Sequence, residues 1–336
     1  MRLMICGADY AIKDQADASS KLEVCSDPPV NTDKQIGDAG AAKILHFIRK
    51  LGLTELRVEL DTELGALWCF QQHRKRPNFT LALLKDVRAV QRLITDVHRD
   101  HPEEARRLLR FLIWGSDISG IFNLGGDLRY FVHLVEQADL PRLKAYAMSC
   151  IDVCFANYSG LHADVIVGAL VAGDALGGGF ESALSCDFII AESTARFGLP
   201  EILYGLFPGM GAYSFLSRKI GQAKAEVMIS DGRLHDAAEM KEHSLVERVT
   251  APGQGRAELE RHLQKLSKRF DAVLSLSNAR RRISPISYRE MTDIVEDWVT
   301  TATRLSSKGL RKMSKLAGAQ DARLDMSKEV QSYPGL

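Results

Sequence analysis

The sequence predicts an α/β protein in which strands and helices alternate, finished by a helical tail. Three observations carry that expectation. Short apolar runs that read as strands recur from Glu55 onward, each followed by a segment of helical length. Two glycine-rich loops, FNLGGDL (122–128) and GDALGGGFE (173–181), each stand between a strand pattern and a helix pattern. After about Gly255 the strand runs stop and helical spacing takes over.

Taken in order, residues 1–38 show no sustained periodicity and are expected to form a poorly ordered arm, with a short amphipathic helix at Ala41–Lys50. ELRVELD alternates apolar and polar residues as a strand does, and ALWCFQQ reads as its hairpin partner. HRKRPNFT is a loop before a helix from about Leu81 to Val97, and RRLLRFLIWGS runs from a helix end into a buried strand near Phe111–Trp114. The loop Asn123–Asp127 opens a helix through Val135, and another helix covers roughly Pro141–Asn157. VIVGALVAG (165–173) is a buried strand, GGGFESALSC begins a helix and DFIIAES is the next strand. IGQAKAEVMISDG is a helix ended by Gly232, and HDAAEMKEHSLVERV is a helix turning into a short strand. GRAELERHLQKLSKRF, SYREMTDIVEDWVTTATRL and SKGLRKMSKLAGAQ are helices of the tail. The expected division is an arm at 1–45, a core at 46–260 and a C-terminal helical segment at 261–336.

The 336 residues, 46% apolar and 26% charged, can bury a sizeable core. A net charge of +1 gives no global electrostatic case for nucleic acid or an anionic membrane, and neither is expected as a partner. Cys6, Cys25, Cys69, Cys150, Cys154 and Cys186 are scattered without a CxxC pair, which fits reduced thiols and no metal site. The N-terminus lacks the pattern of a secretory signal, and the best apolar run stops at Asp174. A soluble cytoplasmic protein without membrane insertion is the expectation.

The candidate chemistry lies in the two loops and two glutamates. A glycine-rich turn into a helix offers free backbone N–H groups and the positive end of a helix dipole, which suits developing negative charge. Phosphate binding and plain tight packing use the same device. GDALGGG is not GxGxxG, and no Gly-Lys-Ser/Thr follows, so dinucleotide and P-loop readings fail. Two such loops could each give one N–H to an oxyanion hole. Glu181 falls in the first turn of the helix after the glycines, where it could be a cap; Glu201, directly after Pro200, could be a solvated loop charge. Considered together beside the two loops, the pair suggests proton transfer next to a carbonyl.

The ordered set GGGFE, FGLPE and LFPGMGAYSFL resembles the crotonase (enoyl-CoA hydratase/isomerase) superfamily over roughly residues 55–260. The resemblance implies a crotonase-like spiral of ββα units that binds an acyl thioester. It implies Gly126 and Gly178 as oxyanion-hole donors, and Glu181 and Glu201 as the acid/base pair of the hydratases. It further implies Trp298 and Leu316 in the tail pocket, with Leu124 and Gly177 also against substrate, and no cofactor. Where hydratases usually carry a pattern like FxAGADL, this chain has FNLGGDL; with LFPGMGAYSF and PGQG (252–255) it resembles the diffusible-signal-factor synthases of bacterial quorum sensing. That resemblance implies dehydration of a 3-hydroxyacyl chain on acyl carrier protein, thioester hydrolysis and release of a cis-2-unsaturated fatty acid. Degradative hydration or isomerisation of an enoyl-CoA is one alternative, and a crotonase-fold protein that acts mainly by binding a sensor kinase is another. A sensor-kinase receiver domain as partner, and a homotrimer or dimer of trimers, are implied likewise. The run Arg280–Arg282 is a candidate contact for an acidic carrier protein or a solvated surface.

The chemistry follows from elementary acidity. A proton α to a thioester leaves at neutral pH only if the enolate oxygen is stabilised, which two N–H groups supply while a carboxylate takes the proton. The second carboxylate must be protonated to help the 3-hydroxyl leave. The same hole would stabilise the tetrahedral intermediate of hydrolysis. No Ser-His-Asp arrangement is visible, which disfavours an acyl-enzyme.

Overall fold

The computed structural model describes residues 2–5 and 38–332. Its strands are β1 (Arg2–Ile5), β2 (Leu56–Asp61), β3 (Ala66–Gln71), β4 (Phe111–Ser116), β5 (Gly120–Asn123), β6 (Ile166–Val171), β7 (Gly173–Leu176), β8 (Phe188–Glu192), β9 (Arg196–Gly198), β10 (Leu234–Asp236) and β11 (Arg248–Thr250). They form a seven-stranded sheet in the order β1-β2-β3-β4-β6-β8-β11 and a four-stranded sheet in the order β10-β9-β7-β5. The hairpin expected from the alternation is β2–β3, antiparallel with Leu56 opposite Gln71. From β3 to β11 the large sheet is parallel. Of the expected N-terminal arm, residues 2–5 pair with β2, while residues 6–37, with Cys6 and Cys25, lie outside the described part.

Strands β3 and β6 are buried throughout, so they read as continuous apolar runs rather than alternating ones. One face of the large sheet packs under the helices Leu81–Asp100 and Leu140–Tyr158. Against the other face lie Leu259, Leu263, Leu266 and Phe270 from the helices Gly255–Ser267 and Phe270–Ile283, meeting Trp68, Phe111 and Ile166.

Three successive ββα-type units build the site. Strands β4, β6 and β8 enter the large sheet, and each chain then bends into the small sheet as β5, β7 and β9. VIVGALVAG, expected as one strand, is therefore two. The break falls at Gly173, where a Cβ would lie 2.2 Å from the carbonyl carbon of Gly120, so β5 and β7 meet backbone to backbone. Because β5, β7 and β9 are parallel neighbours, the segments after them emerge on one edge: FNLGGDL after β5, the triple glycine after β7 and Pro200–Glu201 after β9. Ligands of parallel sheets bind beyond such carboxyl ends.

The tail helices divide by task. Helix Tyr288–Ala302 packs on Leu140–Tyr158, and helix Ser307–Ser332 packs on Leu128–Glu136, so both close over the site edge. Arg280 and Arg281 each bond the Asp187 carboxylate, at 2.5 and 2.9 Å, so part of this basic run serves the fold internally. Among the described residues no helix is long and apolar enough to cross a membrane.

Candidate active site

A cavity of about 320 Å³ opens at the carboxyl ends of β5, β7 and β9. Leu124–Leu128, Gly177, Gly178, Glu181 and Glu201 form its polar end; Phe131, Ala147, Cys150, Met210, Trp298, Met313 and Leu316 form apolar wall. Each of the eight residues singled out from sequence, Gly126, Gly178, Glu181, Glu201, Leu124, Gly177, Trp298 and Leu316, lines this one cavity.

The two loops meet closely enough to share a ligand oxygen. The Gly126 nitrogen lies 3.5 Å from the point a Cβ on Gly178 would occupy, and the Gly178 nitrogen lies 3.2 Å from the corresponding point on Gly125. Gly178 opens the helix Gly178–Leu184, so its N–H has no carbonyl within that helix to bond. Every glycine of the triplet is there for contact. Gly177 has φ +50° and faces Glu201; a Cβ on Gly178 would strike the Met210 sulfur; one on Gly179 would lie 2.0 Å from the Asn123 carbonyl oxygen.

The first loop is braced peptide by peptide. Phe79 N–H donates to the Gly125 carbonyl at 2.8 Å, and a trans peptide then points the Gly126 N–H the opposite way. Asp127 N–H donates to the Tyr146 hydroxyl at 2.7 Å, while that hydroxyl donates to the Phe79 carbonyl at 2.8 Å. Burial holds the Tyr146 phenol well above its usual pKa, so it stays a neutral donor. The Asp127 carboxylate caps the helix Leu128–Glu136 by accepting from Tyr130 N–H, and it pairs with Arg76 at 2.5 Å.

The two carboxylates differ in surroundings. Glu181 is 1% exposed, and its Oε1 accepts N–H bonds from Met210 at 2.7 Å and Ala212 at 2.9 Å. Burial nevertheless lifts it to about 7, against those bonds. Glu201 sits in the turn Pro200–Tyr204 and is half-buried as a residue, yet its Oε2 is shut off from solvent with no partner. Burial first, and the Glu181 charge second, raise Glu201 to about 8. Such a pair near neutral pH holds one proton between two carboxylates, the condition for giving and taking a proton in one turnover.

Sequence reasoning missed the residues that brace the first loop. Asn78, whose side-chain N–H donates to the Gly126 carbonyl at 3.2 Å, belongs to a stretch legible only as loop. The signal for Tyr146 was a hydroxyl in the inward stripe Leu143, Tyr146, Ala147, Cys150, whose buried O–H needs a partner. Among the described residues, no cluster of His, Cys, Asp and Glu could hold a metal.

Comparison with known proteins fits this geometry. Residues 115–284 match the model of the enoyl-CoA hydratase/isomerase family. The chain belongs to that family. A Rhizobium meliloti (strain 1021) protein named "Probable enoyl-CoA hydratase" is 56% identical over 84 residues, covering 25% of this chain and 33% of that protein. An enoyl-CoA isomerase/hydratase of Mycosarcoma maydis is 30% identical over 190 residues, covering 55% and 59%. The chain thus spans about a third of the length of the first and under two thirds of the second. The crystal structure of an enoyl-CoA hydratase from Bacillus halodurans shares the family fold, with a TM-score of 0.65 at 18% identity over 78% of this chain and 100% of that one.

Proposed function

We propose that this member of the enoyl-CoA hydratase/isomerase family adds water to, or removes it from, the Cα–Cβ bond of an acyl thioester. The observation that carries the reading is the juxtaposition of Glu181 and Glu201 with the Gly126 and Gly178 N–H groups at one end of an apolar cavity. Its N–H bonds favour the ionised form of Glu181, whereas the unpartnered Oε2 favours the protonated form of Glu201. In the hydration direction Glu181 takes the proton of a water as its oxygen bonds C3. The electron pair of the double bond moves through C2 onto the thioester oxygen, held by the two N–H groups. The enolate then takes the Glu201 proton at C2. Dehydration runs these steps backward from the opposite protonation of the pair, so protons balance either way.

The apolar wall of the cavity suits the acyl chain of such a thioester. Trp298 and Leu316 are the proposed walls for that chain, with Leu124 and Gly177 against its thioester end.

A second, finer reading adds thioester hydrolysis on an acyl carrier protein, as the diffusible-signal-factor synthases do, to release a 2-enoic acid. The resemblance of FNLGGDL and LFPGMGAYSF to those synthases is what favours it. Purified protein given 3-hydroxydecanoyl thioesters of pantetheine, coenzyme A and acyl carrier protein tests both. Formation of 2-enoyl thioester, seen by mass spectrometry, supports the first reading, and free 2-enoic acid from the carrier protein supports the second. No dehydration on any carrier overturns the first; enoyl thioester without free acid overturns the second.

A further inference from the structure

We propose that Gln320, on the C-terminal helix Ser307–Ser332, is a positioning residue of the oxyanion hole, fixing the peptides on either side of the one that carries the Gly126 N–H. This rests on the acyl-thioester reading and deepens it. Gln320 lies beyond residues 115–284, the part matched by the family model.

The Gln320 side-chain N–H donates to the Leu124 carbonyl at 2.8 Å, and its oxygen accepts from Asn78 Nδ2 at 3.2 Å. The same Asn78 nitrogen donates to the Gly126 carbonyl at 3.2 Å. With Phe79 N–H on the Gly125 carbonyl, three consecutive carbonyls, Leu124, Gly125 and Gly126, are each held from outside the loop. A peptide's N–H direction is set by its carbonyl, so holding three in a row fixes where the middle N–H points. Gly125 needs this support, because its φ of +98° is a conformation glycine leaves easily.

Both side chains are buried, Asn78 2% and Gln320 7% exposed, so neither amide can trade its partner for water. The helix that brings Gln320 is seated by polar anchors on both sides: Arg323 on Asp174 at 2.8 Å, Asp321 on Arg129 at 2.6 Å and Lys312 on the Leu203 carbonyl at 3.0 Å. It also supplies Met313 and Leu316 to the cavity wall. One element therefore closes the acyl pocket and sets the hole that must polarise the acyl carbonyl.

Gln320→Met keeps the side chain's length and deletes both hydrogen bonds; Gln320→Leu deletes both with a shorter, branched apolar side chain. The readout is the infrared carbonyl stretch of bound decanoyl-pantetheine, an unreactive saturated thioester, alongside kcat, KM and thermal melting. The wild type should lower the stretch relative to free ligand. Both variants should show a smaller lowering, a kcat reduced by ~10- to 100-fold and a dissociation constant within about 3-fold of wild type. A variant that melts lower yet polarises the carbonyl and turns over like wild type overturns the positioning role and leaves the acyl-thioester reading standing. If the wild type itself leaves the stretch unshifted, the acyl-thioester reading fails and this proposal with it. Should one variant not fold, the other is read by the same criteria.

Discussion

A Cβ placed on Gly177 would lie 2.5 Å from Glu201 Oε1, in a backbone with φ +50° and ψ −126°. The first glycine of the triplet and the second glutamate thus occupy one another's space, although they stand on different strands' ends. Gly177→Ala is expected to swing the carboxylate out of the cavity and to strain the backbone, at a cost of about 1–3 kcal/mol. Turnover should fall at least ~100-fold, with a melting temperature lowered by a few degrees. Steady-state kinetics and thermal melting of the one variant check both.

Glu181→Gln and Glu201→Gln should each reduce kcat by ~10²–10⁴-fold while the protein stays folded. Neither should change ground-state thioester affinity by more than a few-fold, because the apolar wall and the N–H groups remain. Isothermal titration with decanoyl-pantetheine, beside the kinetics, separates the two effects.

The pH dependence follows from the direction of the shifts. Burial holds both carboxylates above the ordinary value of 4.5, Glu181 at about 7 and Glu201 at about 8. Below the lower value the pair is doubly protonated and has no base; above the upper one it is doubly ionised and has no acid. The rate should therefore be bell-shaped with its maximum near pH 7–8, with limbs belonging to the pair rather than to either residue.

Stability must move with the same protons. Between roughly pH 4.5 and 8 the folded state retains protons that the unfolded chain releases, so stability declines as pH rises through that window. Wild-type protein should lose more melting temperature from about pH 5 to about pH 9 than Glu201→Gln does, by ~2 °C or more. Equal losses would contradict the raised value.

Tyr146→Phe removes the hydroxyl that links Asp127 N–H to the Phe79 carbonyl. Two buried backbone groups lose a partner, so a destabilisation of about 1–3 kcal/mol is expected. Because Asp127 follows Gly126 directly, kcat should drop ~10-fold with KM little changed. Denaturant unfolding and kinetics read the two effects independently.

Much of this was legible in the sequence because the site is local in sequence terms. Glu181, Glu201, Gly126 and Gly178 all sit at strand-to-helix turns whose residue types are unusual, and their order along the chain carries a family resemblance. What stayed hidden depends on distant partners. The bend that splits β6 from β7 arises where Gly173 meets Gly120 backbone to backbone, a contact no window around Gly173 contains. Gln320 reads as one polar residue on a helix; its role appears only when that helix docks beside Leu124. Asn78 is 48 residues from Gly126 in sequence and one hydrogen bond from it in space. Trp298 and Leu316, by contrast, are expected at the cavity from the resemblance, since helical periodicity alone reads them as core.

The most direct test is to incubate the protein with a 2-decenoyl thioester in 18O-labelled water and locate the label by mass spectrometry. The mechanism predicts 18O at C3 of a 3-hydroxyacyl product with wild type, and its loss in Glu201→Gln. Label at the carboxyl carbon alone, or no label at all, would contradict the assignment of Glu181 and Glu201 to water addition.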